Sequence, residues 1–347
     1  VKAFLGIAAA LAVAAGVAAF LVVQRTAQPF RGYPAAEQLV EIPMGLGPAA
    51  IGRRLIDAGV VRDTLTYRVA LWLNGNSTRL QAGEYRFDRP MTAREVVDKL
   101  VRGEVDQVAI TFPEGLTIAE MASIFEAEGF GPAASFAAAA RDVSLIAELD
   151  PAAPDLEGYL FPDTYKVSKR IDAGRLVRAM VERVKEVLTP DVRQAAAGRG
   201  LSVRQLVTLA SLVEKETGQP DERRIVAGVY ANRLRIGMPL QCDPTVIYAL
   251  QRRGEYNGNL RRDHLAIDSP YNTYRYAGLP PGPIAAPGQA SVEAAAHPAD
   301  VPFLYFVSRN DGSHVFSRSL DEHNRNVRRH QVEFFRQRRK GTAAKGR

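Results

Sequence analysis

Two glutamates close an apolar run near the middle of this chain. Leu206, Leu209, Ala210 and Val213 recur at the i, i+3, i+4, i+7 spacing of one helix face. The run then breaks into Glu214, Lys215, Glu216 and Thr217, with Gly218 as the expected stop and Pro220 beyond it. A carboxyl group at the end of a buried helix face is desolvated, which raises its pKa and suits it to general acid work. Glycoside cleavage commonly uses two carboxylates. Glu214 and Glu216 cannot form that pair across one bond, because two helical positions set them about 200° apart. They flank the apolar stripe on opposite sides, so spacing does not choose between them. An ordinary amphipathic helix with a solvated last turn carries the same pattern. If a sugar brought its own nucleophile, one carboxylate would suffice.

Other chemistries find less support. The five histidines, at 264, 297, 314, 323 and 330, lack His-Glu-x-x-His spacing, so no metal and no cofactor are expected. A meeting of His314 with His323 would be a weak metal signal. One cysteine, Cys242, excludes an intrachain disulfide and fits either redox compartment. Gly-x-Ser-x-Gly and Walker-type phosphate loops are absent. The net charge of +7 and pI near 9.5 favour anionic partners without choosing among them. Part of that excess sits in the last residues, and a basic tail alone does not make a nucleic-acid site.

The expected elements follow from local pattern. Ala3 to Val23 carries no charged residue. At about 1.5 Å per residue it is long enough to cross roughly 30 Å of hydrocarbon, so residues 1–25 read as a single-pass transmembrane anchor. A cleaved signal peptide is the competing reading. Residues 26–37 form a polar linker. An internal repeat follows: Ile42-Pro-Met-Gly-Leu46 aligns with Phe112-Pro-Glu-Gly-Leu116 without gaps, and Ala49, Ile51, Leu55 and Gly59 match Ala119, Met121, Phe125 and Gly129. Each copy reads as a strand, a turn and a short helix ending at Gly. Between them come a helix over 63–73, a strand over 83–87 and a helix opened by the Thr92-to-Glu95 capping box. Strand, two helices, strand is a LysM-like order, so 38–131 is assigned to a LysM-like subdomain containing the repeat.

Residues 132–335 supply the second domain. The segment 132–154 is Ala-rich and helical in pattern. Leu156-Glu-Gly-Tyr-Leu-Phe-Pro-Asp-Thr-Tyr165 sets Glu157 among aromatics, which suits a sugar cleft, although a strand turn in a core looks similar. Helices are expected over 173–188, 221–234, 291–296 and 320–335, with a linker between 188 and the glutamate run. A strand over 303–307 and its hairpin return over 312–316 complete the α+β reading. The stretch from Gly237 to Tyr248 combines a Gly-Met-Pro turn with Gln241, Asp243 and Tyr248. Residues 269–274 and 278–288 are rigid Pro- and Gly-dense loops. Residues 336–347 are a basic tail.

Taken together these motifs resemble those of the endolytic murein transglycosylases, the YceG-like (MltG) family. The residues that carry the resemblance are Leu156 to Tyr165, Ala210-Ser-Leu-Val-Glu-Lys-Glu-Thr217, Asn232-Arg-Leu with Gly237 to Tyr248, Tyr271-Asn-Thr-Tyr274, Gly278 to Ala285 and Leu304-Tyr-Phe-Val307. The likeness spans nearly the whole chain. It implies an inner-membrane lytic transglycosylase with its bulk in the periplasm, a mixed α/β catalytic domain and a transglycosylase-like active-site helix. The implied reaction cuts the MurNAc-GlcNAc β-1,4 bond inside nascent peptidoglycan strands and ends their elongation. The MurNAc C6 hydroxyl attacks its own C1, one Glu acts as acid then base, and a 1,6-anhydro end results. By resemblance the catalytic residue is Glu216, with Glu214 in support. Glu157, Gln241, Asp243, Tyr248, Asn272 and Tyr274 would line the cleft. Cys242 departs from the Thr expected before Asp-Pro and leaves a thiol near the cleft. Implied partners are glycan strands, the membrane and, as candidates, peptidoglycan synthases, with no nucleic acid. Two alternatives stand beside this reading: a muramidase that uses water, and a non-catalytic anchored scaffold that binds glycan.

Overall fold

A computed structural model of the chain describes residues 2–75, 80–333 and 336. The basic tail therefore lies outside the described residues except for Arg336, as does the end of the helix expected over 320–335. The chain divides into two compact units, Val1–Ala109 with Lys166–Arg170, and Ile110–Tyr165 with Ile171–Arg347. That division puts the first copy of the repeat in one unit and the second copy in the other.

The first unit opens with α1 (Lys2–Thr26) and continues through β1 (Gln38–Ile42), α2 (Pro48–Asp57), α3 (Thr64–Asn74), β2 (Gly83–Phe87) and α4 (Ala93–Arg102). β1 and β2 pair antiparallel, Gln38 opposite Phe87 and Ile42 opposite Gly83. The strand, helix, helix, strand order is thus present. Its core gathers Ile42, Ile51, Leu55, Tyr67, Tyr85, Val96 and Leu100. Asp63 caps α3 by accepting from Thr66 N at 2.9 Å. The Thr92–Glu95 capping box closes with both bonds, at 3.1 and 2.7 Å. No helix among the described residues is long and apolar enough to cross a membrane. The anchor expected over 1–25 is accordingly not supported at the level of the fold. In α1 the side chains of residues 2–10, 12, 18 and 19 are outside the description.

β3 (Val108–Thr111) pairs with β4 (Thr164–Val167). In the second unit Phe112, Phe125 and Phe136 stack together, joining α5 (Ile118–Ala127) to α6 (Ala133–Ala139). The two repeat copies share their backbone turns. Gly45 and Gly115 have φ of 79° and 77°, and Gly59 and Gly129 both have φ of 70°. Only glycine takes that conformation without cost, so the repeat is a repeat of turn geometry as well as of apolar spacing. The Ala-rich segment is helical only in α6 and in a short 3₁₀ turn at Val143–Ile146.

The rest of this unit is α7 (Ala173–Val187), α8 (Pro190–Gly198), α9 (Val203–Glu216), α10 (Arg223–Arg235), α11 (Asp243–Arg253), α12 (Gln289–Ala296), the antiparallel hairpin β5 (Tyr305–Ser308) and β6 (His314–Ser317), and α13 (Leu320–Val327). α8 stands where a linker was expected, with Thr189 accepting from Val192 N at 3.2 Å and Pro190 in the first turn, where a missing N–H costs nothing. α9 is the central element. α8, α10, α11 and α12 pack around it, and every residue from Leu206 to Val213 is buried. It is buried all round rather than along one stripe. Its polar core residues are satisfied locally: Thr208 Oγ1 donates to Arg204 O and Ser211 Oγ to Thr208 O, each at 2.7 Å. Ser211 Oγ also accepts from Ile284 N at 3.1 Å, fixing the Pro-rich loop to the helix. The expected stop at Gly218 is instead made by Thr217, whose backbone turns extended at φ −140° and ψ 129°.

Replacing Ser211 with Ala leaves the buried Ile284 N–H without its acceptor. The expected cost is about 1–3 kcal/mol of unfolding free energy, read from the urea midpoint. An unchanged midpoint would show that the loop is held by other means.

Candidate active site

Glu216 is the last residue of α9, and its half-buried side chain faces a cluster drawn from three elements. Tyr230, fully buried on α10, donates its hydroxyl to Glu216 Oε1 at 2.6 Å. Cys242, 1% exposed just before α11, lies near enough to Glu216 and Tyr230 for its thiol to act on both. Burial pushes the Glu216 carboxyl up, and the nearby Asp243 charge adds to this. The bond from Tyr230, the Cys242 thiol and the charge of His314 act in the opposite direction. Burial also pushes the Tyr230 and Cys242 groups well up, so both stay neutral. The thiol noted in the sequence therefore lies near the glutamate itself.

The strand-side wall comes from Tyr230 and the hairpin. The Phe306 ring meets Tyr230 edge-on at 6.0 Å, and His314 meets Phe306 edge-on at 5.4 Å. His314 Nδ1 lies 2.7 Å from Glu222 Oε2, and His314 N donates to Glu222 Oε1 at 2.8 Å. Thr217 Oγ1 donates to the same Glu222 carboxylate at 3.2 Å. Arg233, 6% exposed, donates to the backbone oxygens of Leu304 and Leu240 at 2.7 Å each and so ties α10 to both neighbouring loops. His323 does not meet His314; it stacks on Tyr305 at 5.2 Å.

The residues from 241 to 243 are shaped by the loop that follows α11. Gln241 holds a left-handed φ of 50°, unusual for a residue with a side chain, and its N–H donates to Thr273 O at 3.0 Å. Cys242 N donates to Thr273 Oγ1 at 3.0 Å. Asp243, at the start of α11, is exposed and accepts from Tyr274 OH at 2.5 Å. Asp243 and Tyr274 thus lie near enough to Glu216 for charge to act between them. Asn272 does not face a cleft. It is fully buried, its amide donates to Leu265 O and Ile267 O at 3.0 and 2.8 Å, and its oxygen accepts from Tyr274 N. Its work is to hold the loop that presents Tyr274.

Glu157 and Tyr248 form a second cluster. Glu157 is buried, accepts from Ile118 N at 3.1 Å where α5 begins, and accepts from Tyr248 OH at 3.2 Å. Burial pushes its carboxyl up to about 8. Tyr248 in turn packs its ring on Tyr271 at 5.0 Å. Among the described residues no hydrogen bond or ring contact links either side chain to Glu216. Glu214 points elsewhere again. It accepts from Gly288 N at 3.0 Å where α12 begins and lies 3.9 Å from Arg223. The adjacent Lys215 donates to Gly115 O at 3.0 Å. The two glutamates of the run therefore diverge, as two helical positions require. Tyr230 and Glu222 carried no sequence signal, since each meets its partners from a different element, and Arg233 entered only as part of the Asn232-Arg-Leu motif.

Comparison with known proteins adds a family. The model of the YceG-like family matches residues 40–329. A Bacillus subtilis (strain 168) protein named endolytic murein transglycosylase is 33% identical over 302 residues, covering 82% of both chains. A Streptococcus pneumoniae (serotype 2) protein of the same name is 31% identical over 321 residues, and the match spans 84% of this chain but 58% of that one. The crystal structure of a yceG-like protein from Listeria monocytogenes is similar at a TM-score of 0.56 and 30% identity, over 84% of this chain and 98% of the other.

Glu157 makes stability depend on pH with a definite sign. Its pKa in the fold lies above the 4.5 of a free carboxyl, so the folded state holds the proton more tightly. Unfolding free energy should fall as pH rises from about 4.5 to about 8, by at most ~1.4 kcal/mol per pH unit for one proton. Glu157→Gln mimics the neutral acid and should flatten that fall in thermal melts across the range. A Gln variant with the same pH slope as wild type would assign the slope to other groups.

Proposed function

The chain belongs to the YceG-like family, and on that premise we propose that it is a lytic transglycosylase acting on peptidoglycan, with Glu216 as acid and then base. The observation that carries this is the Glu216 carboxyl itself, held by Tyr230 at 2.6 Å and pushed by burial toward its protonated form. A protonated carboxyl donates to the glycosidic oxygen between MurNAc and GlcNAc. As the C1–oxygen bond breaks, its electron pair leaves with that oxygen, which keeps the proton. Glu216 is then a carboxylate, and Tyr230 is already in place as a neutral donor to it, with the neutral Cys242 thiol nearby. The MurNAc C6 hydroxyl forms the new bond to C1, and Glu216 takes the C6 proton. The acid is regenerated, no water is consumed, and the new end is 1,6-anhydro-MurNAc.

Asp243 and Tyr274 lie near this carboxyl, and with Gln241, which precedes Cys242 in the chain, they are the residues proposed for substrate contact. Glu157 and Tyr248 belong to the scaffold that seats α5 and α11, and Asn272 to the loop behind Tyr274. Glu214 supports the site by seating α12. Cleavage inside strands follows the relatives' name, endolytic murein transglycosylase, and an end to strand elongation is proposed with it. The strand, helix, helix, strand module of the first unit is proposed as a LysM-like glycan contact. Attachment to the inner membrane through residues 1–25, with the bulk in the periplasm, is supported by the uncharged stretch from Ala3 to Val23 and by Leu11, Val13, Phe20 and Leu21, which are more than half exposed on α1. Peptidoglycan synthases join as proposed partners only through the shared substrate.

One observation favours a second reading. Asp243 is exposed and near enough for its charge to act on Glu216. It would supply the second carboxylate of a muramidase that uses water.

Glu216→Gln is nearly isosteric but has no proton to give. It should lower strand cleavage by about a hundred- to ten-thousand-fold while the thermal melt stays as in wild type. Near-normal cutting by this variant would remove Glu216 from the mechanism, and loss of cutting on Glu214→Gln alone, with folding retained, would assign the chemistry to the other glutamate. Tyr230→Phe keeps the ring and removes one hydrogen bond to a charged group, a loss of about 1.5–3 kcal/mol, or roughly 10- to 150-fold in kcat. Unchanged kcat in Tyr230→Phe would show that this bond does not assist the carboxylate.

A further inference from the structure

One buried pair is not used by the reaction as written. His314 and Glu222 have side chains only 11% and 13% exposed, and they meet through two bonds, ring nitrogen and backbone N–H to the two carboxylate oxygens, at 2.7 and 2.8 Å. Glu222 stands immediately before α10, and His314 opens β6. The same carboxylate accepts from Thr217, the residue that ends α9 directly after Glu216, at 3.2 Å. Thr217 Oγ1 in turn accepts from Gln219 N at 3.0 Å. At the hairpin turn Gly312 takes a φ of +88°, and a Cβ there would lie 3.1 Å from the Gln219 amide nitrogen. On the other side His314 packs on Phe306, Phe306 on Tyr230, and Tyr230 bonds to Glu216.

These contacts close a ring: Glu216, Tyr230, Phe306, His314, Glu222, Thr217 and back to Glu216. We infer that the His314–Glu222 pair is a positioning unit for Glu216, fixing the end of α9 to the β5–β6 hairpin so that the carboxyl stays aimed while its charge changes. The inference rests on the reading of Glu216 as the acid. A helix that ends in an extended residue has no glycine cap to set the direction of its last side chain. Here a charge-assisted pair does so, and such bonds are roughly twice as strong as neutral ones. An error of about 1 Å in a catalytic group costs on the order of a hundredfold in rate.

When protonated, His314 also acts through its charge on the carboxyl. Groups acting on Glu216 are Tyr230 and Arg233 from α10, Cys242 and Asp243 at the start of α11, Tyr274 from the following loop and His314 from β6. Those facing His314 are Glu222 and Glu216. A positive His314 favours the ionised carboxyl, so its removal leaves Glu216 protonated to higher pH.

The test compares His314→Ala, His314→Asn and Thr217→Val with wild type and Glu216→Gln in one strand-cleavage assay. The Asn amide nitrogen takes the place of Nδ1 and keeps the bond to Glu222 without the charge. His314→Ala should lose about 10- to 100-fold in kcat with KM nearly unchanged. His314→Asn should regain most of that loss, and the basic limb of its pH–rate profile should lie above that of wild type. If His314→Ala does not fold, Thr217→Val reports the same link by cutting the ring at Glu222, again with a lower kcat and an unchanged KM. Wild-type kcat in both His314→Ala and Thr217→Val would overturn the inference, as would a His314→Asn no better than Ala with an unshifted basic limb. Activity in Glu216→Gln would instead remove the reading on which the inference rests.

Discussion

The 2.6 Å hydrogen bond from Tyr230 to Glu216 is the contact on which the site depends. It requires a carboxyl at the end of a helix that is buried from Leu206 to Val213, and a tyrosine presented by the helix that packs alongside. Burial works on both partners at once. It keeps the carboxyl near its protonated form and keeps the phenol a donor. The bond then favours the carboxylate at the moment the proton leaves. A group so arranged can give up a proton and recover it without exchanging with bulk water, which is what a single-carboxylate reaction asks of it.

The same residue type takes four different parts in this unit, and environment decides which. Glu214 meets the start of α12 and Arg223, and its role is to seat a helix. Glu157 is sealed between the start of α5 and Tyr248, and its cost of burial appears as a dependence of stability on pH. Glu222 is committed to His314 on both oxygens. Glu216 alone combines burial, a neutral donor and nearby polar groups. Side-chain chemistry alone does not separate the four. The separation comes from which helix end or ring each carboxylate reaches.

The central helix was legible in the sequence because its buried positions repeat at helical spacing. What periodicity missed was Thr208 and Ser211, polar residues that are buried because each hydroxyl bonds back into its own helix. α8 and the start of α11 were hidden by Pro190 and Pro244. Each proline occupies a first turn, where its fixed φ helps and its missing N–H is no loss. The repeat was visible as apolar spacing, and its glycines proved to share left-handed turns. Glu216 was reached by resemblance rather than by spacing, and the i, i+2 divergence from Glu214 holds. Asn272 was assigned to the cleft by resemblance, but its amide is fully spent on the loop. Tyr230 and His314 could not be read at all, since they meet Glu216 and Glu222 across long separations in the chain.

The central claim is that the substrate's own hydroxyl, and not water, completes the reaction that Glu216 begins. Digestion of intact glycan strands in water enriched in heavy oxygen, followed by mass measurement of the new MurNAc ends, tests it most directly. The account predicts ends lighter by one water than a reducing sugar and free of the heavy isotope. New ends that carry heavy oxygen from the solvent would contradict it and assign the reaction to hydrolysis, with Asp243 as the first residue to substitute.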